Sequence, residues 1–275
     1  MPRYVKLLML MIIFPMLSPA QAFNSMLGDE SILNAQTKQV NQFFRRFNGE
    51  ENANGDRYYP ADKDYRSTEL RRKYLNVLFD QQNASMTDPM RDSFTRDVLN
   101  SAAPQFLNFH QGQWFAEVTT RFLYQGKDEN ITLFMKLEQE KLGYKWVISK
   151  VYFRHFHLMF NTNQESGSHF LHPLSHELDF MNLVRVFKEK EYVDLYTEKE
   201  YHPDFLTLFL YEFKKGNLKF KNVSNVKFHF FQINGWYFEL SEFNRPGGNS
   251  GWLISGLMEI DENQKDVLLK YIYHE

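Results

Sequence analysis

Five of the nine histidines crowd into one stretch, at His155, His157, His169, His172 and His176. His155 and His157 stand two apart and would share a face on a strand. His172 and His176 stand four apart and share a helical face if a helix starts at Pro173, with Glu177 and Asp179 close behind. Paired imidazoles beside carboxylates are how zinc or another borderline ion is held, so His155, His157, His172 and His176 are the candidate ligands and zinc the candidate cofactor. No established metal motif contains them: His176-Glu177 is not followed by a histidine three residues later, as a zincin helix requires. Two other readings compete, hydrogen bonding at a seam between two halves, and acid–base catalysis or pH sensing. Ser175-His176-Glu177 is not a triad, because adjacent residues cannot aim at one another as nucleophile and base must. Gly247-Gly248 opens no helix and so makes no phosphate cradle. No catalytic residue is assigned.

The second candidate chemistry is aromatic. Trp114, Phe122, Tyr124, Trp146, Tyr152, Phe228, Phe230, Trp236 and Trp252 fall on segments of strand periodicity and are candidate walls of a ligand cavity, with Trp114, Tyr124, Trp146, Tyr152 and Trp236 foremost and core packing as the alternative. In the first half, residues 31–47, Glu69–Gln82 and the stretch from Asp88-Pro89 have helical spacing of apolar residues. After Pro104 the period changes to two. Trp114–Tyr124, Ile131–Gln139 and Lys145–Phe156 then read as an antiparallel meander, with the preceding helices as its cover. Glu117, Arg121, Lys136 and Glu138 read as its solvated face. The order repeats after the polar gap Asn161–Ser168. Helices are expected over His172–Lys188 (stripe Leu178, Met181, Leu183, Val184 and Phe187) and Pro203–Lys215. Strands follow over Leu218–Val223, Val226–Ile233, Trp236–Phe243 and Gly251–Ile260, then a closing helix capped by Asp261. LEQEKLGYKWVISKVYF and FFQINGWYFELSEF both read strand, glycine turn, tryptophan, strand, a weak internal correspondence.

The N-terminus is read separately. Arg3 and Lys6 precede the apolar run Leu7–Leu17, and Ala20-Gln21-Ala22 offers small residues at a cleavage site, so residues 1–22 read as a secretory leader and Phe23 as the mature start. The run is shorter than the roughly 20 residues a membrane span needs. Removing Arg3 and Lys6 moves the formal charge by two, from −2 to −4. That balance, without a basic run, argues against nucleic acid as a partner. The chain has no cysteine, which excludes disulfides and thiolate chemistry. The division expected is a leader (1–22), a first module (23–160), a linker (161–168) and a second module (169–275).

Helices followed by an antiparallel meander rich in inward rings resemble the cone-shaped, cystatin-like α+β fold of nuclear-transport-factor and SnoaL-type proteins, over residues 31–156 and again 172–272. The resemblance implies two tandem α+β modules, each a curved sheet covered by helices. Enzymes of that type keep an acid–base pair inside the cone, and no residue here matches one. The HPLSHELDF stretch also resembles uncharacterised exported proteins of Bacteroidetes-type bacteria. The expectation is therefore a non-enzymatic binding or assembly protein of a bacterial periplasm or cell surface, its partner a protein or small molecule. The alternatives are a binder or enzyme using a cone cavity, and a metal protein using the histidine cluster.

Overall fold

Strict alternation from Trp114 to Tyr124 gives a strand with two different faces, and everything else in the fold is arranged on those faces. A computed structural model describes residues 40–52, 54–160, 169–245 and 249–275. The expected leader, residues 31–39 of the first helix and the gap 161–168 lie outside the described residues. The helices are α1 (40–48), α2 (Thr68–Leu78), α3 (Asp88–Val98), α4 (Arg154–Phe160), α5 (Leu183–Lys188), α6 (Phe205–Lys214) and α7 (Glu262–Tyr273). The strands are β1 (Trp114–Tyr124), β2 (Lys127–Glu140), β3 (Gly143–Tyr152), β4 (Leu218–Phe230), β5 (Trp236–Phe243) and β6 (Gly251–Glu259). The protein is α+β.

All six strands join in one antiparallel sheet of order β3-β2-β1-β4-β5-β6. The two meanders thus do not form separate sheets. They meet along β1 and β4, from Trp114 opposite Phe230 to Tyr124 opposite Leu218. The even-numbered face of β1 carries two cores. One packs α1, α2 and α3 on β4, β5, β6 and the start of β1, through Phe43, Phe47, Phe94, Phe230, Trp236 and Phe238. The other packs α4 and α6 on the far end of β1 and on β2, through Phe122, Ile131, Phe156 and Phe209. The first three helices therefore cover mainly the second meander rather than their own, and α6 covers the first. The opposite face is closed by α7, which packs Ile272 and Tyr273 near Phe115, Phe134, Phe231 and Tyr237. Asp261 starts α7 as expected, in a capping box with Gln264.

Four bulges bend the sheet: one, between β1 and β4, has Lys221 as its extra residue, and the other three have a serine. Ser149 is unpaired between β2 and β3, Ser224 between β1 and β4, and Ser255 between β5 and β6. Each hydroxyl donates to a carbonyl of the facing strand: Ser149 to Phe134 at 3.0 Å, Ser224 to Thr119 at 3.0 Å and Ser255 to Glu239 at 3.3 Å. One inserted residue reverses which face the following side chains take. Hence Trp146 and Ile148 face the helix-bearing cores, whereas Tyr152, beyond Ser149, packs with the α7 cluster.

Two other expectations change. The segment 154–160 is helical, so His155 and His157 are not strand neighbours. The expected helix over His172–Lys188 is broken into a 3-10 turn (Pro173–Leu178) and the short α5, because Asp179 and Phe180 adopt φ of 48° and 54°.

Candidate functional site

Between the two cores the helical cover stops among the described residues, and the sheet face there bounds a cavity of about 660 Å³. Its floor is built from the pleat. Val118 on β1 faces Val226 on β4, Met135 on β2 lies beside them, and the Ser224 bulge pushes the backbone of 223–225 into the wall. Three rings run across it: Trp146 on β3 and Trp252 on β6 flank Phe228, with centroids 6.3 Å and 5.1 Å from it. Phe109 and Val40 close one side. Trp146 is 39% exposed, so its ring is available to a ligand. Glu242, paired across the strands with Trp252, is the one ionisable side chain in the lining among the described residues. A cavity of this size, apolar with one polar anchor, has the character of a small-molecule site. The lining offers no nucleophile beside a base, since the Ser224 hydroxyl is engaged with the Thr119 carbonyl.

The expected aromatic wall is divided among several places. Trp146 lines the cleft; Trp114 lies just behind it, 5.4 Å from Trp146 and stacked on Phe230. Tyr124 belongs to the second core, 5.2 Å from Phe153. Tyr152 is on the α7 side, 3.9 Å from His274. Trp236 is buried among the first three helices, its Nε1–H donating to Asp97 at 3.0 Å. Trp252 and Phe228, candidates on the same strand periodicity, complete the site with Trp146. Their strand period was legible, but that they converge with Trp146 depends on β3 and β6 curling toward one another from opposite sheet edges.

The histidines do not converge. His155 meets Glu129 at 3.1 Å, and His157 lies against Phe205 at 4.2 Å. Burial, helped by His274 and opposed by Glu275, lowers the His157 pKa. The His172 ring accepts from the Leu174 N–H at 3.2 Å and so starts the 3-10 turn, while His176 Nδ1 lies 2.9 Å from the Pro173 carbonyl. The His169 ring lies tilted against Tyr192, centroids 4.5 Å apart. Among the described residues no three His, Asp or Glu side chains are grouped to hold a metal ion.

The sequence reading missed a buried polar relay on the α7 face. His229, only 2% exposed, has Nδ1 2.8 Å from the Tyr237 hydroxyl and Nε2 2.9 Å from Glu117. Burial alone would raise the Glu117 carboxyl. The hydrogen bond and charge of His229, with Lys227 and His274 nearby, outweigh it and hold the pKa below the usual value. Burial and the carboxylates of Glu239 and Glu117 push the Tyr237 phenol far up, so it stays protonated. With Glu117 ionised, Nε2–H is the donor to its carboxylate, and the Tyr237 hydroxyl partners Nδ1 at the other end. Glu117 is therefore a partner in the interior rather than a solvated strand charge. Packed under Phe115 and Tyr237, the imidazole has no open space for a substrate, and the relay is structural.

No helix among the described residues is long and apolar enough to cross a membrane. Comparison with protein-family models, with curated proteins and with solved structures gives no match.

Proposed function

We propose that this protein is a non-catalytic binder of an apolar, ring-bearing small molecule, held on the Trp146–Phe228–Trp252 floor and oriented by Glu242. The observation that carries the reading is the cavity of about 660 Å³ left open between two well-packed aromatic cores on the same sheet face. A sheet face this apolar costs roughly 25 cal/mol per Å² to keep in water, and a flat ligand with a cationic or donor group would cover it and meet Glu242. Titration with a cationic fluorescent aromatic dye tests this. Saturable binding lost in Val118→Trp, which fills the floor, is expected; binding unchanged by that substitution would sink the proposal.

The reading extends to how the site arose and where it works. The two halves are tandem copies whose third strands correspond: Trp146-Val147-Ile148-Ser149 and Trp252-Leu253-Ile254-Ser255 each enter the cleft with the tryptophan and bulge at the serine. The mirrored strand order supports the same view. This replaces the correspondence drawn from the sequence, which matched the β2–β3 hairpin to β4–β5. The leader-like residues 1–22 support a place in a bacterial periplasm or at its surface.

A further inference from the structure

The segment between the two halves carries a surface that the cleft does not explain. From 173 to 188, Leu174, Leu178, Phe180, Met181, Val184 and Phe187 are all at least 48% exposed, Met181 most of all at 73%. Leu174, Leu178, Met181 and Val184 recur at intervals of four, three and three, the spacing of one helical stripe. In the chain as it stands this helix is not made. Two successive residues with side chains, Asp179 and Phe180, sit in the left-handed region that favours glycine, and they split the stripe between a 3-10 turn and α5. A sequence written for a continuous amphipathic helix, held broken and exposed, lacks the surface that would stabilise the unbroken form.

We infer that this surface is covered by a second copy of the chain, with residues 173–188 of each copy straightened into one helix and paired antiparallel about a two-fold axis at Met181. Charge selects this occupant. Glu177 and Asp179 occupy the first half of the segment, and Arg185 and Lys188 the second. Antiparallel pairing centred on Met181 sets Glu177 opposite Arg185 and Leu178 opposite Val184, so each copy complements itself, as an isologous contact must. A parallel pair would instead stack like charges. An anionic membrane fits less well, because residues 169–202 hold seven acidic side chains against four basic. The same 34-residue stretch is large enough for a standard interface, which uses roughly 20–30 residues a side.

The test is sedimentation equilibrium of the mature chain over a dilution series. A reversible dimer is expected. Met181→Glu places two carboxylates at the axis and should raise the dissociation constant by on the order of 30-fold or more, the range of a central hot spot. Glu177→Arg and Arg185→Glu should each weaken the dimer, and the double variant should restore it. Because the chain has no cysteine, Met181→Cys should crosslink to itself under mild oxidation, whereas Lys63→Cys, in an exposed turn, should not. Circular dichroism and melting confirm that each variant is folded. A monomer at every concentration, a dimer indifferent to these substitutions, or a monomer that co-sediments with anionic vesicles through Met181 would overturn the inference.

Discussion

Phe94→Ala should destabilise the whole protein by about 4–5 kcal/mol, although Phe94 belongs to a helix of the first half and its principal partners to a strand of the second. The ring is fully buried. It meets Trp236 at 5.3 Å and Phe238 at 5.8 Å, nearly edge-on in both cases, and Phe79 at 5.9 Å. Truncating a buried phenylalanine costs about 3–5 kcal/mol. Loss of several edge-to-face pairs, each worth about 0.5–1.5 kcal/mol beyond area, places this site at the upper end. For a chain of this size a kilocalorie moves the melting temperature by about 2–4 °C, so the variant should melt roughly 8–20 °C lower. The assay is denaturant unfolding followed in parallel by far-ultraviolet circular dichroism and tryptophan fluorescence. Because the helices of each half cover the sheet of the other, wild type and variant should each unfold in a single coincident transition. Two resolved transitions, with Phe94→Ala shifting only one of them, would refute the interlocked arrangement.

The relay makes a pH prediction with a definite sign. Folding lowers the Glu117 carboxyl below its unfolded value of about 4.3, so its stabilisation is full above that value and is lost as pH falls through the lower folded one. Glu117→Gln should therefore cost about 1–2 kcal/mol at neutral pH, with the gap to wild type closing in acid; a gap that widens in acid would contradict it. Tyr237→Phe removes the hydrogen-bond partner of a buried imidazole nitrogen and should cost about 1–3 kcal/mol in urea unfolding. Unchanged stability would remove the relay from the account. N-terminal sequencing of the protein made in a bacterium from its full sequence should begin at Phe23, and an intact Met1 would contradict the proposed leader.

Periodicity made the strands readable, because a half-buried strand writes its two faces directly into alternating residue types. β1 and β5 follow it, and Asp261 marks the start of α7 as its side chain allows. Elsewhere the decisive interactions are between distant segments. Ser149 has nothing in its neighbourhood to announce a bulge, yet that one residue moves Tyr152 to the opposite face from Trp146. His229 and Glu117 stand 112 positions apart and meet only through the β1–β4 ladder. Alternation places Glu117 on the face opposite Trp114, but nothing local shows that α7 buries that face. The helix expected over 172–188 has the right stripe and no continuous sheet surface to hold it, so local turn geometry at Asp179 and Phe180 prevails.

The central claim is that ligand binds on the floor between the two cores. The four tryptophans allow a direct measurement, since each contributes one indole N–H signal to a ¹⁵N correlation spectrum. Titrating an aromatic, amine-bearing probe should shift Trp146 and Trp252 together and leave Trp236, whose N–H is held by Asp97 behind the first core, in place. Shifts confined to Trp236, or no shift at Trp146 and Trp252 under saturating probe, would contradict the site.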